Sequence, residues 1–260
     1  MTRRYLDHSG VLAFAHRGGS YHPEIEGLEN TMAAFRHAVG LGYAYLETDV
    51  HVTSDGVLLA FHDDVLDRVT DKTGNIAETS YADVQAALIG GRERVPTLAE
   101  LFEAFPAARF NIDIKSAGSV PALADFISAH DAWDRVLVGS FSGRRLNRFR
   151  RLTEGRVATS AHPREVAAYV LSPSAKLARL LTPGRPDALQ VPHRQGRLTV
   201  ASRGLIRRAH ANGVQVHVWT IDEQAEMIEL LDRGVDGLIT DRTDILSDVL
   251  RSRGQWEDES

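Results

Sequence analysis

Short runs of β-branched and apolar residues recur along the chain. Between them, apolar positions return every three or four residues. The first pattern suits strands buried on both faces, and the second suits helices packed along one side. Strands are expected at residues 11–16, 44–50, 110–115, 136–140, 157–160, 188–192, 215–220 and 237–241. Helices are expected at 30–41, 97–105, 120–130, 144–152, 163–171, 201–212, 223–233 and 244–251. Gly213 and Gly234 stand where two of these helices should stop, as glycine tolerates the left-handed C-cap conformation.

Eight alternating strand and helix units predict an α/β fold, a closed (β/α)8 TIM barrel rather than an open doubly wound sheet. Two stretches break the rhythm. Residues 63–96 read as an elaborated loop between the second and third units, on the face where barrel loops build sites. Residues 172–184, in the fifth unit, read as an irregular loop. No linker divides the chain, so residues 1–260 are expected to form one domain.

Composition narrows the function classes. With 43% hydrophobic and 25% charged residues, the chain carries enough apolar matter for a large core. A net charge of −5 argues against a nucleic-acid partner, which requires a clustered basic surface. The absence of cysteine excludes disulfides and thiolate chemistry. The first apolar stretch, residues 11–15, is too short for a signal or a bilayer span. A cytoplasmic protein without stable membrane insertion is therefore expected, and its tail beyond Arg251 is polar.

Barrel enzymes place their chemistry where strands end. His16 and Arg17 close the first strand. Glu47 and Asp49, two residues apart in the second, share one side of the pleat, as Asp113 and Lys115 do in the third. Inward carboxylates on neighbouring strands require compensation. A hard cation such as Mg²⁺ or Ca²⁺ supplies it through oxygen ligands. An internal salt-bridge network with Arg17 and Lys115 is the alternative. His62 follows the apolar run 56–61 and reads either as a loop residue or as a second imidazole for acid–base work near neutral pH.

Eight segments occur in one order: His16-Arg17-Gly18, Glu29-Asn30-Thr31, Glu47-Thr48-Asp49, His62-Asp63, Pro96-Thr97-Leu98 with Glu100, residues 111–115, Val218-Trp219-Thr220 and residues 234–241. Together they resemble the glycerophosphodiester phosphodiesterase family across about residues 11–250. The resemblance implies a TIM barrel that hydrolyses a small-molecule glycerophosphodiester to glycerol 3-phosphate and an alcohol with a divalent cation, often Ca²⁺ or Mg²⁺. It makes His16 and His62 the acid–base pair. In the mechanism expected here the glycerol 2-hydroxyl attacks phosphorus to give a cyclic phosphate, with His16 taken as the initial base although the sequence does not assign the direction. It makes Glu47, Asp49 and Asp113 metal ligands, and Arg17 and Lys115 phosphate contacts. Trp219 becomes an apolar wall, and Glu29 orients Arg17 or a substrate hydroxyl, unless it is only a helix-start acid.

The sequence departs from the family pattern in places. Asp113 replaces the usual Glu, Leu28 precedes the glutamate motif where Pro is usual, Trp219-Thr220-Ile221-Asp222 replaces a common ending in Asn, and Thr243 replaces a common Pro. Two rival functions remain. One is a lysophospholipase D or sphingomyelinase D-like enzyme, which Asp113 favours and the lack of an obvious membrane-binding helix opposes. The other is a non-catalytic barrel that only binds phosphodiesters.

Overall fold

The computed structural model describes residues 4–8 and 10–256. Eight strands form the barrel: β1 (Leu12–Ala15), β2 (Tyr45–Val52), β3 (Arg109–Ile114) and β4 (Val136–Gly139), followed by β5 (Ala158–Thr159), β6 (Ala188–Pro192), β7 (Gln215–Trp219) and β8 (Gly237–Thr240). Their order is β5-β4-β3-β2-β1-β8-β7-β6, and every neighbouring pair is parallel. The ring closes between β5 and β6 through one parallel bridge, Ser160 to Ala188. Flanking bonds run from the Ala161 N–H to the Ala188 carbonyl and from the Asp187 N–H to the Thr159 carbonyl, each 2.8 Å.

Outside lie α1 (Met32–Gly40), α2 (Leu98–Ala104), α3 (Ser119–Ala129), α4 (Gly143–Leu152), α5 (Pro163–Leu171), α6 (Ala175–Leu181), α7 (Arg203–His210), α8 (Gln224–Arg233) and α9 (Thr243–Ser252). Helix and strand share a core in which Phe35, Leu46, Phe110, Ile112, Phe149 and Val216 are wholly buried. Capping sets several boundaries. The Thr31 hydroxyl accepts from the Ala34 N–H, so α1 begins after it. Thr97 and Glu100 form a reciprocal capping box, which gives the Pro-Thr-Leu motif a structural role at the start of α2.

The expected elements are present, with three corrections. Residues 172–184 are not an irregular loop: Ser174 caps a further helix, α6, by accepting from the Leu177 N–H. β2 continues to Val52 because Leu58–Ala60, in the apolar run before His62, returns antiparallel against its end. β5 shrinks to two residues. The elaborated loop folds around its own small core of Leu59, Phe61, Leu66, Ile76, Val84 and Ile89.

Candidate active site

Register brings the strand-end residues together. Ala15 pairs with Thr240, so the residues that follow, His16 and Asp241, stand side by side. Asp49 pairs with Asp113, and Glu47 lies one pleat behind on the same side. His16 then donates from Nδ1 to Asp241 Oδ1 at 3.0 Å, and its Nε2 lies 3.8 Å from Glu47 Oε2. Ser20 holds the same Asp241 oxygen at 2.8 Å. Burial lowers the pKa of His16, but Glu47 and Asp241 outweigh it and raise it to about 9.

After His16 the chain turns sharply. Arg17, Gly18 and Gly19 all have positive φ, at 49°, 87° and 86°. Glycine is required at Gly18, since a Cβ there would lie 2.7 Å from that of Ala34. The turn aims the Arg17 N–H at Glu47 Oε2, 3.1 Å away. Its guanidinium bonds Glu29 through Nη1 at 3.0 Å and lies with Nε 3.4 Å from Asp49 Oδ2. Lys115 Nζ sits between Asp49 Oδ1 at 3.0 Å and Asp113 Oδ2 at 2.8 Å. Asn30 Nδ2 donates to Asp49 Oδ2 at 3.2 Å. Burial raises the Asp49 pKa, yet Lys115 and Arg17 bring it below the usual carboxylate value. Glu47 moves the other way, up to about 7, through burial and the neighbouring Asp49 charge.

His62 stands beside this acid row because the Phe61 N–H bonds the Asp49 carbonyl at 2.9 Å. Its Nδ1 bonds Asp63 Oδ1 at 2.5 Å, and His51 donates to its backbone carbonyl at 3.1 Å. Arg68, from the elaborated loop, clasps Asp63 at 2.5 Å and both oxygens of Glu29 at 2.6 and 2.8 Å.

A sequence profile of the glycerophosphoryl diester phosphodiesterase family matches residues 16–245. A Mycobacterium tuberculosis protein named "Probable glycerophosphodiester phosphodiesterase 2" is 41% identical over 259 residues, covering 98% of this chain and 97% of that protein. The chain belongs to this family. A further relative, the human lysophospholipase D GDPD1, is 29% identical across 92% of this chain and 85% of its own length. An Oleispira antarctica phosphodiesterase, solved with the product sn-glycerol-3-phosphate, shares the fold with a TM-score of 0.76. It is 22% identical over 93% of this chain and 97% of its own.

For a phosphodiesterase family member, two atoms here are telling. Arg17 Nε is a buried donor without an aligned acceptor, and Asp113 Oδ1 a buried acceptor without a donor. The first suits a phosphate oxygen and the second a cation, because buried polar atoms are otherwise paired. The three carboxylates match a hard cation in donor type. Their arrangement is nonetheless that of a salt-bridge network. Among the described residues no group of three His, Asp or Glu side chains comes together in a way that could hold a metal ion. Lys115 lies between two of the three acids.

Trp219 ends β7 at the mouth, with Phe141 edge-on at 5.7 Å. Lys115 Nζ lies 5.9 Å from the Phe141 ring, so this side chain joins the wall to the cationic cluster. Phe141, Asp241, Asn30 and Arg68 have places at the site that sequence reading did not assign. Asp241 and Asn30 carried a usable signal, since Asp241 closes β8 as His16 closes β1 and Asn30 stands in the Glu29-Asn30-Thr31 segment. Two further histidines lie elsewhere: His193 bonds Glu226, and His217 is wholly buried against Phe14. Burial lowers the His217 pKa to about 3, which keeps it neutral.

Proposed function

We propose that the chain hydrolyses glycerophosphodiesters to glycerol 3-phosphate and an alcohol, with His16 and His62 as its acid–base pair. The observation that carries this reading is the pair of buried atoms without a hydrogen bond, Arg17 Nε and Asp113 Oδ1, beside two carboxylate-bound imidazoles. Family membership supports it, and so does the glycerol phosphate bound by the Oleispira antarctica protein.

His62, bonded through Nδ1 to Asp63, presents Nε2 as a base, the orientation that carboxylate–imidazole pairs impose. It takes the proton of the glycerol 2-hydroxyl, whose oxygen attacks phosphorus. His16, held protonated by Glu47 and Asp241, gives its proton to the departing alcohol. Water then opens the cyclic phosphate with the two roles exchanged. This order reverses the one expected from sequence. Arg17 and Lys115 bind the phosphate oxygens and stabilise the charge that develops there. To hold Ca²⁺ or Mg²⁺, Glu47, Asp49 and Asp113 would have to release the bonds they make here to Arg17 and Lys115. When bound, the cation supplies Lewis-acid polarisation of the phosphodiester.

The test is release of glycerol 3-phosphate from a panel of glycerophosphodiesters, with Ca²⁺, Mg²⁺ or EDTA, followed by ³¹P NMR. A transient cyclic phosphate and loss of turnover in EDTA support the scheme. Metal-independent turnover removes the cation, and no turnover of any glycerophosphodiester removes the substrate class. A second reading, lysophospholipase D activity, is favoured by the exposed Phe141 beside Trp219, an apolar surface at the mouth. Lysophosphatidylcholine assayed beside glycerophosphocholine separates the two readings.

A further inference from the structure

The net charge of −5 conceals a segregation. Residues 143–210 carry fifteen Lys and Arg against three Asp and Glu, a net of +12. The rest of the chain holds fifteen against thirty-two, a net of −17. In space the basic segment is one side of the barrel, from α4 through α7.

The same segment holds most of the exposed large apolar side chains. In α6, Leu177, Leu180 and Leu181 are 37%, 75% and 55% exposed, while Ala178 faces inward and is fully buried. Leu171, at the end of α5, is 80% exposed, and Leu152, at the end of α4, is 50% exposed. Lys176, Arg179 and Arg185 flank these leucines. All three are exposed, and none has an acidic partner among the described residues. A short helix showing leucines outward, with free cations beside them, has the character of an element that rests in a lipid headgroup layer.

We propose that α6 and the adjoining ends of α4 and α5 form a docking surface for an anionic lipid bilayer. Charge complementarity selects this occupant. A second copy placed basic side to basic side would be repelled. The phosphates of a nucleic acid would engage the arginines but leave the leucines uncovered. A bilayer satisfies both, taking the leucines between headgroups and the cations among lipid phosphates. The binding is shallow, and no helix among the described residues is long and apolar enough to cross a membrane.

The geometry also orients the bound protein. Asn212, which lies just before the start of β7, donates to the Ala175 carbonyl at 2.9 Å, so α6 begins at the N-terminal end of the barrel. The mouth with His16 and His62 lies at the opposite end. The docked enzyme thus keeps its site open to water, which suits a soluble substrate rather than one drawn from the layer beneath.

Co-sedimentation of the full chain with vesicles tests this. One vesicle is phosphatidylcholine alone, and the other contains about one-third phosphatidylglycerol. The expected result is pelleting with the anionic vesicles only, weakened at least about tenfold by raising NaCl from about 0.05 to 0.5 M. Leu180→Glu with Leu181→Glu, and separately Lys176→Glu with Arg179→Glu and Arg185→Glu, should abolish pelleting. Both should leave the melting curve and any turnover in solution unchanged, and if the leucine variant fails to fold the charge variant decides. Equal pelleting with both vesicles, none with either, or pelleting retained by both variants would overturn the proposal. So would a dimer in sedimentation velocity that the leucine variant dissolves, or binding of a DNA oligomer in place of vesicles.

Discussion

His16 and Asp241 are 225 positions apart, yet their side chains meet at 3.0 Å where the first and last barrel strands lie together. The contact follows from register alone, because Ala15 and Thr240 are paired neighbours. It gives His16 a fixed ring orientation and an anion against its Nδ1. Replacing Asp241 by Asn keeps the shape and removes that charge. We expect kcat to fall roughly ten- to hundredfold, with the limb of the pH–rate profile that reports His16 moving toward lower pH. A profile identical to wild type would show that Asp241 does not act through His16.

The same imidazole links stability to pH. His16 titrates at about 9 in the folded chain against 6.5 for the free side chain. A raised pKa stabilises fully below pH 6.5 and loses its contribution as pH climbs through 9. Glu47, raised from 4.5 to about 7, acts with the same sign at lower pH. In metal-free protein the stability advantage of wild type over His16→Gln should be greatest near pH 6 and shrink by at most about 3 kcal/mol by pH 9.5. Urea melts at both pH values measure it, and an advantage that grows with pH would contradict the assignment.

His16→Ala and His62→Ala should each lower kcat by roughly 10²–10⁴-fold, with His62→Ala leaving the melting temperature within a few degrees of wild type. The His62 side chain is 31% exposed, so its loss opens no buried cavity. Near-normal turnover in either purified variant would end the two-histidine scheme.

Saturating Ca²⁺ or Mg²⁺ should raise the melting temperature, since a ligand at 100 Kd adds about 2.7 kcal/mol. Asp113→Asn should abolish the rise, because Asp113 Oδ1 is the buried acceptor left unpaired. A metal shift that survives this change would place the ion elsewhere.

Gly18→Ala tests the turn that delivers Arg17. A Cβ there would meet the Ala34 Cβ at 2.7 Å and its carbonyl carbon at 2.9 Å, at a φ of +87°. A loss of about 1–3 kcal/mol is expected, with a larger loss of activity than of stability, because the Arg17 N–H leaves Glu47. Calorimetry and a KM measurement on one preparation separate the two effects.

Most of the barrel could be read from the sequence because β1, β4, β6 and β8 are mainly apolar runs whose burial matches their pattern, and β3 and β7 alternate apolar with polar residues. The acid row could be read because Glu47 and Asp49 share one strand, where the two-residue pleat fixes their side. The rest depended on contacts that no local pattern records. Arg68 reaches Glu29 across 39 positions, and Phe141 meets Trp219 only because the barrel curves. α6 escaped notice because an outward row of leucines over a single buried alanine is a reversed amphipathic pattern.

The joint between β5 and β6 is a single bridge in a ring otherwise held by longer ladders. The fold is thus close to a rolled sheet with a natural cut line. The two ends of the described chain also meet, since Asp7, His8, Gln255 and Trp256 line one cavity. A version with those ends joined and new ones opened between α5 and β6 would preserve every barrel strand and the whole rim of the candidate site. Continuity of the chain and continuity of the barrel are therefore separable here, and the site belongs to the barrel.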